Sequence, residues 1–242
     1  MREMFFYEEI DSTNDEAKRL LRDGKASFGD VVAARRQTAG RGRRGRAFVS
    51  PGGDSVYASF ILKPPERPAE QRITAFAAVA VCLAIERTTS YRPGVKWVND
   101  VLADGKKICG ILAESVPGAV ILGIGVNINL DCGCLPEDLR ETAGSLSMDK
   151  ETRTLFFDAL AEDVFRCAAA AEKADAAETA ALMNAYRARS VLLGKLVVFL
   201  RGDTTCRALC ENIADDGALI VRYENGKTEE LRTAEISVRL DE

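Results

Sequence analysis

Residues 94–129 constrain the fold more than any other part of the chain, because three apolar runs in them are joined by two short turns. The runs cover residues 94–103, 107–115 and 119–129. Asp104-Gly105 is typical of a hairpin turn, and Pro117-Gly118 supplies the second turn. Strands joined this closely pair antiparallel, whereas a doubly wound parallel sheet needs crossover helices. The stretch therefore predicts an antiparallel meander.

Helical patterns surround the meander. Residues 69–89 carry apolar side chains at helical spacing on most sides, which predicts a central buried helix. Capping residues at 11–14 predict a helix that begins directly after an aromatic strand at residues 4–10. Further strands are predicted at 31–34 and 55–62, a helical turn near 136–140, and helices at 152–171 and 178–191. The fold class is thus α+β, with a mixed, largely antiparallel sheet packed on helices.

The pattern changes at residue 192. Short strands follow at regular spacing and are separated by turns such as Asp215-Asp216-Gly217 and Asn225-Gly226. This spacing is typical of a small β-barrel. We predict two domains, at residues 1–192 and 193–242. The predicted strands of the second domain are 195–200, 204–214, 218–223, 229–232 and 235–240.

Composition excludes several classes of function. The 242 residues carry a net charge of −4, which argues against DNA or an anionic membrane as the main partner. No run of eighteen apolar residues occurs, and the first strand starts close to Met1, so we expect neither a membrane span nor a signal peptide. Seven cysteines without a CxxC pair indicate reduced thiols and a cytoplasmic protein.

The chain contains no histidine. This excludes Ser-His-Asp and Cys-His nucleophilic catalysis and HExxH zinc hydrolysis. We predict no protein-held metal site, because the remaining candidate ligands are scattered. Any catalysis has to come from Lys, Arg, Asp or Glu side chains, from backbone dipoles, or from a metal ion on oxygen ligands.

Residues 35–46 concentrate the positive charge, with six arginines and three glycines directly after a short apolar strand. Glycines allow the backbone to approach a ligand closely, and arginines present forked donors to phosphate or carboxylate oxygens. The stretch is an anion clamp, a disordered basic loop that binds nucleic acid without specificity, or simply a solvated turn. The residues alone leave all three interpretations open.

Other polar residues have a functional and a purely structural interpretation. The group at Ser12 to Asn14 caps a helix, and a helix N-terminus also suits a polar or anionic ligand. Lys96, Asn99, Asp100 and Lys107 interrupt an apolar sheet, which an exposed face would also explain. The Gly123-x-Gly125 spacing is a weak signal that close packing would account for.

Five motifs occur in a fixed order and together resemble the biotin protein ligases, in a form without an N-terminal DNA-binding domain. They are Ser12-Thr13-Asn14, the stretch from Gln37 to Arg46, Lys96-Trp97-Val98-Asn99-Asp100, Lys107-Ile108-Cys109-Gly110, and Gly123 to Asn129. The resemblance covers nearly the whole chain, since that family also has a small SH3-like C-terminal barrel after a class II synthetase-like catalytic domain.

The resemblance implies a two-step reaction. Biotin and ATP, with Mg²⁺, give biotinyl-5′-AMP and pyrophosphate, and biotin then passes to a lysine of the biotin carboxyl carrier protein of acetyl-CoA carboxylase. Fixed cations would stabilise the charge that builds up at the α-phosphate, and no protein nucleophile is needed. The chain is therefore expected to be a biotin–[acetyl-CoA-carboxylase] ligase.

The resemblance also assigns roles to residues. Those expected to act in catalysis are Arg43, Lys107 and Asp100, the last by orienting or deprotonating the incoming lysine. Those expected to contact biotin are Ser12, Thr13, Asn14, Gln37, Arg41, Gly42, Arg43 and Lys107. Those expected to contact ATP or the adenylate are Arg43, Arg46, Phe48, Asn99, Lys107 and Asn127, with Phe48 packing on the adenine where the family often has tryptophan.

One departure and two alternatives accompany the resemblance. Val98 stands where the family usually has proline, so the local turn is expected to differ slightly. A lipoate or octanoate ligase or transferase shares the catalytic architecture and is the first alternative. A nonenzymatic nucleic-acid binder is the second, although the acidic composition speaks against it. The start of the first strand near Met1 leads us to expect no DNA-binding domain, and a homodimer is left open.

Overall fold

A computed structural model describes residues 3–64, 70–173, 175–201, 204–232 and 238–240. A seven-stranded sheet has the order β1-β2-β3-β7-β6-β5-β4, and a five-stranded sheet follows it. The strands of the larger sheet are β1 (Met4–Ile10), β2 (Val31–Gln37), β3 (Val56–Leu62), β4 (Gly94–Lys96), β5 (Asp100–Ala103), β6 (Lys106–Val116) and β7 (Ala119–Val126). The helices are α1 (Thr13–Arg22), α2 (Glu70–Thr88), α3 (Glu137–Arg140), α4 (Lys150–Lys173) and α5 (Ala176–Arg189).

The predicted meander is present: β5, β6 and β7 pair antiparallel through tight turns. The parallel pair in this sheet is β1 with β2, which α1 connects. Helix α2 is buried against one face of the sheet and is covered by α4, as its apolar sequence predicts. Helix α1 packs on the other face through Ala17 and Leu20 against Val32, Ile61 and Ile121. The predicted α+β class is confirmed.

The prediction of one continuous strand over residues 94–103 is wrong. Residues 94–103 form two strands, β4 and β5, with a break at residues 97–99. Tertiary contacts explain the break: the Trp97 indole N–H donates to Gly217 O at 2.9 Å, and the Tyr186 hydroxyl donates to Val98 O at 3.2 Å. The peptide bond between Trp97 and Val98 is cis. Local sequence periodicity carries no information about these distant partners.

The five-stranded sheet is antiparallel with the order β11-β10-β9-β8-β12. It contacts helix α5, where Arg187 donates to Ile213 O at 2.6 Å, and the segment between β4 and β5 at Trp97. The predicted boundary at residue 192 stays a prediction. Predicted features at residues 65–68, 202–203 and 235–237 lie outside the described residues. The strands are β8 (Leu196–Arg201), β9 (Thr204–Ile213), β10 (Leu219–Arg222), β11 (Thr228–Leu231) and β12 (Val238–Leu240).

Within the described ranges, no helix combines the length and the apolar character that crossing a bilayer requires.

Candidate ligand-binding site

A cavity of about 250 Å³ lies on the face of the large sheet that carries α1. The N-terminus of α1, the arginine–glycine loop (residues 38–48) and the break between β4 and β5 surround it, while β6 and β7 form its floor. All but one of the sequence-predicted site residues line this cavity. They are Ser12, Thr13, Asn14, Gln37, Arg41, Gly42, Arg43, Arg46, Phe48, Asn99, Asp100 and Lys107.

The N-terminus of α1 forms a polar wall. Ser12 has an extended backbone and caps the helix, accepting from Asp15 N at 3.4 Å. Gln37 Oε1 accepts from Thr13 N at 2.8 Å, and Gln37 Nε2 donates to Ser50 Oγ at 3.0 Å. A backbone N–H can only donate, so these bonds set the orientation of the Gln37 amide. The wall thus presents preordered polar groups to the cavity.

Asn14 is held from three sides. Its Oδ1 accepts from Ser59 Oγ at 2.6 Å, and its Nδ2 donates to Glu114 Oε2 at 2.8 Å. A Cβ atom at Gly123 would lie 2.3 Å from Asn14 Oδ1, so a larger residue there would displace the amide. Gly123 therefore makes room for the Asn14 side chain at the wall of the cavity. This explains why the first position of the Gly-x-Gly spacing is a glycine.

The arginine–glycine loop forms one wall of the cavity. Arg44 and Gly45 have positive φ of 61° and 71°, the left-handed conformation that glycine adopts most easily. Arg43 Nη1 donates to Asn99 Oδ1 at 3.2 Å. Burial lowers the pKa of the Arg43 guanidinium, and the Asp100 carboxylate opposes that shift. A partly desolvated cation of this kind gains more from an anionic ligand than an exposed one does.

Lys107 and Asp100 form an ion pair on the cavity wall, with Lys107 Nζ 2.7 Å from Asp100 Oδ1. Asp100 Oδ1 is buried, and none of the described residues forms a hydrogen bond with it. The contact with Lys107 is therefore an ion pair without hydrogen-bond geometry. Backbone hydrogen bonds of 2.8 Å tie Lys107 to Thr142 and Gly144. The backbone of Lys107 is thus held beside the cavity, and its ammonium group has a counter-ion that an incoming anion can replace.

Phe48 packs its ring flat on glycines of the sheet. A Cβ atom would lie 2.8 Å from Phe48 Cε2 at Gly110 and 2.5 Å from Phe48 Cε1 at Gly125. The Tyr57 ring meets Phe48 edge-on, with centroids 6.3 Å apart. Burial raises the pKa of the Tyr57 hydroxyl. The second glycine of the Gly-x-Gly spacing, Gly125, therefore leaves room for the ring of Phe48.

Asn127 is the predicted site residue that does not line the main cavity. It lies in an adjoining cavity of about 100 Å³, which Phe48 and Lys107 also line. Its Nδ2 donates to Gly144 O at 2.9 Å, and Asn99 Nδ2 similarly donates to Ile111 O at 3.0 Å. Both amides are held by backbone carbonyls. The predicted contacts of these residues with an adenylate stay predictions.

Sequence reasoning missed Ser59 and Glu114. A hydroxyl at Ser59 within the apolar strand β3 was a usable signal, because a buried polar group needs a partner. Glu114 gave a weaker signal, as a single charge near the end of β6. Its partners are distant in sequence, with Asn14 separated from it by 100 residues.

The geometry is suited to a ligand that has a neutral polar part and an anionic part. The polar wall at α1 lines the cavity together with Arg43 and Lys107, and Lys107 also lines the second cavity. Fold and site together define an α+β protein that binds such a ligand beneath a basic loop. The chain belongs to the Biotin/lipoate A/B protein ligase family, which it matches over residues 6–131. Residues 192–239 match the Biotin protein ligase C terminal domain.

Individual relatives support the same family. The chain is 34% identical over 233 residues to a biotin--[acetyl-CoA-carboxylase] ligase of Paracoccus denitrificans, covering 90% of this chain and 93% of that protein. It is 36% identical over 154 residues to the bifunctional ligase/repressor BirA of Bacillus spizizenii, covering 61% of this chain. That match spans 47% of the Bacillus protein, so the chain covers about half the length of this relative.

A solved structure agrees with the fold along the whole chain. The biotin protein ligase of Aquifex aeolicus, in complex with biotin and ATP, is similar with a TM-score of 0.83 and 26% identity, and the match covers 100% of both chains. The predicted family resemblance and fold class are therefore confirmed. The roles assigned to individual residues have not been tested by these comparisons.

Proposed function

We propose that this protein is an ATP-dependent ligase that activates biotin as biotinyl-5′-AMP and transfers it to a lysine of a biotin carboxyl carrier protein of acetyl-CoA carboxylase. The observation that carries the proposal is the arrangement of the cavity. Two cations, Arg43 and Lys107, and one carboxylate, Asp100, stand beyond a preordered polar wall. The names of the Paracoccus and Aquifex relatives support the choice of substrates.

In the first step, a biotin carboxylate oxygen attacks the α-phosphorus of ATP. A new C–O–P linkage forms, the bond between the α-phosphorus and the bridging oxygen breaks, and pyrophosphate leaves with the electron pair. Negative charge accumulates where the carboxylate meets the phosphate. Lys107 and Arg43 stand where they can stabilise this charge, and their backbone and side-chain anchors limit the reorganisation required.

The neutral ureido ring of biotin would lie at the polar wall. Thr13, Asn14 and Gln37 offer donors and acceptors there, and all of them are held by neighbouring groups. Preordered groups bind a ligand with a smaller loss of conformational entropy. The adenine would lie beside Phe48, near the cavity that contains Asn127, with Arg46 and Asn99 closer to the phosphate.

In the second step, the lysine amine of the carrier attacks the acyl carbon, the bond from that carbon to the phosphate oxygen breaks, and AMP leaves. The amine loses one proton. Asp100 would orient the amine or accept this proton once Lys107 turns to the phosphate, and its ion pair with Lys107 at the cavity wall supports this role. Asp100 Oδ1 is buried and lies 2.7 Å from Lys107 Nζ, so this role requires the ion pair to open first.

The proposal includes Mg²⁺, which would bind together with ATP. The described residues contain no group of three or more His, Cys, Asp or Glu side chains that could hold a metal ion, and Asp100 is the one carboxylate they place on the cavity wall. This donor set fits an ion that keeps several waters and is held mainly by substrate phosphates. When bound, Mg²⁺ would neutralise phosphate charge.

A cytoplasmic location is part of the same proposal. All seven cysteines are thiols without a disulfide, which fits a reducing compartment. A homodimer, which the sequence leaves open, stays untested.

The decisive experiment supplies labelled biotin, MgATP and a biotin carrier domain, and follows pyrophosphate release and label on the carrier. We expect both products with biotin and neither with lipoate or octanoate. Lys107→Ala serves as the control, since it should impair adenylate formation more than transfer from supplied biotinyl-5′-AMP. A lipoyl-adenylate formed in place of a biotinyl-adenylate would contradict the proposal.

A further inference from the structure

Glu114 of β6 joins three groups behind the polar wall. Its Oε2 accepts from Asn14 Nδ2 at 2.8 Å, and its Oε1 lies 2.8 Å from Lys18 Nζ and 3.1 Å from Arg41 Nη2. The Glu114 side chain is 19% exposed, so solvent screens these contacts only in part. One carboxylate thus connects the sheet, α1 and the arginine–glycine loop.

The contact with Glu114 determines which way the Asn14 amide points. An ionised carboxylate only accepts hydrogen bonds, so the amide nitrogen has to face Glu114 and the oxygen has to face Ser59 Oγ, 2.6 Å away. A flipped amide would place its oxygen against the carboxylate and lose the bond to Glu114, whereas Ser59 Oγ could accept from the amide nitrogen in either orientation. Asn14 is only 4% exposed, and water cannot replace these partners easily.

The contact with Arg41 gives that residue a different role from the predicted biotin contact. Arg41 Nη1 lies 2.5 Å from Asp15 Oδ1, and Arg41 Nη2 lies 3.1 Å from Glu114 Oε1. Lys18 shares both carboxylates with Arg41, so the four side chains form one ionic cluster without net charge. Two residues further on, Arg43 contacts Asn99 across the cavity. Arg41 thus fastens the start of the loop to α1, and Arg43 spans the cavity.

We propose that Glu114 is a positioning residue that orients Asn14 at the polar wall and, with Asp15, fastens the arginine–glycine loop through Arg41. This inference rests on the proposed function, because it takes biotin to be the ligand at the wall. Loss of the Glu114 charge should weaken biotin binding and make the arginine–glycine loop more mobile. The nucleotide side of the cavity, where Lys107 and Phe48 lie, should be unaffected.

The test compares Glu114→Gln with Glu86→Gln as a matched control. Glu86 of α2 also accepts two hydrogen bonds from an arginine, Arg189, at 3.0 and 2.8 Å, and its side chain is 25% exposed. It lies outside the lining of the cavity. Both variants keep the size of the side chain and remove its charge.

Pyrophosphate release is measured against biotin and against ATP, and trypsin cleavage after Arg43, Arg44 and Arg46 is followed in the absence of ligands. For Glu114→Gln we expect the KM for biotin to rise about tenfold, the KM for ATP to stay within about twofold, and loop cleavage to accelerate several-fold. Glu86→Gln should change none of these values. An equal rise of both KM values, or identical behaviour of the two variants, would overturn the proposal.

The trypsin comparison separates this inference from the proposed function. If wild-type protein forms no biotinyl-adenylate, the proposed function fails, while faster loop cleavage in Glu114→Gln alone would still support the loop attachment. If the wild-type protein is an active ligase and Glu114→Gln leaves loop cleavage unchanged, the attachment of the loop through Arg41 is refuted. The proposed function is then unaffected.

Discussion

At the scale of single residues, two glycines of β7 decide which side chains can lie against the sheet. Gly123 leaves space for the Asn14 amide, and Gly125 leaves space for the Phe48 ring. Successive residues of a strand point to opposite faces, so residues 123 and 125 share the face of the cavity. The Gly-x-Gly spacing is thus a property of the cavity floor rather than of a nucleotide-binding turn.

Gly125→Ala is expected to displace Phe48, because the new Cβ atom would lie 2.5 Å from Phe48 Cε1. Crowding of this kind costs about 1–3 kcal/mol in unfolding free energy. The KM for ATP should also rise, on the order of tenfold, since the displaced ring enters the nucleotide side of the cavity. Urea unfolding and initial rates measure the two effects. In a Phe48→Ala background the same substitution should cost much less, and an undiminished cost would show that the ring is not the cause.

Asp11 makes stability depend on pH. Hydrogen bonds from Arg19, of 2.8 and 2.7 Å, lower the pKa of this carboxyl to about 2. A lowered pKa in the folded state means that the contribution is fully present above the unfolded value near 4 and is lost as pH falls toward 2. The pair is partly exposed, so the effect is smaller than the pKa shift alone suggests.

The expected result for Asp11→Asn is a deficit in unfolding free energy that is constant above about pH 5 and shrinks below pH 4. Urea unfolding at several pH values measures it. A deficit that persists unchanged at pH 3 would contradict the assignment. Arg19→Gln should reduce the pH dependence of the difference, because it removes the largest cause of the lowered pKa and leaves the backbone hydrogen bond from Ser12.

At the scale of elements, helix ends follow local rules closely. Ser12 caps α1 and Asp175 caps α5, in each case with an extended backbone and an oxygen that accepts from the first turn. Acidic residues stand in the first turn of α1 and basic residues in its last turn, which suits the helix dipole. The start of α1 could be predicted because capping involves only neighbours in sequence, whereas α5 begins at Ala176, two residues before its predicted start.

Asp175→Ala should destabilise the protein by about 1 kcal/mol through loss of the cap on α5. Asp175 Oδ1 accepts from Ala177 N at 2.9 Å and from Glu178 N at 3.0 Å, and both donors would turn to water. Chemical denaturation provides the measurement. Asp175→Asn retains an accepting oxygen and should lose less than half as much stability, so equal losses in the two variants would argue against capping as the cause.

At the scale of the whole molecule, the two sheets meet at the segment that forms one edge of the cavity. The Trp97 indole donates to Gly217 O in the turn before β10, and Arg187 contacts Asp215 of the same turn at 2.5 Å. The smaller sheet thereby supports the break between β4 and β5, which leads into Asn99 and Asp100. This contact gives the C-terminal sheet a physical link to the site.

Trp97→Phe removes the indole donor and leaves a buried carbonyl without its partner, at a cost of about 1–3 kcal/mol in addition to any cavity formed. We expect a lower transition temperature in calorimetry and a broader or split transition as the two sheets uncouple. Tyr186→Phe is the matched control, since it removes a hydrogen bond to Val98 that does not reach the smaller sheet. A single sharp transition in Trp97→Phe, lowered no further than in the control, would refute the link.

The sequence by itself determined most of the local structure: the meander, the buried helix α2, the capped helix α1 and the series of short strands after residue 192. Twelve predicted site residues also line one cavity, because ordered motifs placed them on neighbouring elements. The break at residues 97–99, the position of Asn127 outside the main cavity and the attachment of Arg41 by Asp15 and Glu114 were decided by the tertiary structure. Periodicity, capping and turn chemistry depend on residues a few positions apart, whereas these features depend on side chains that only packing brings together, such as Arg41 and Glu114, 73 positions apart.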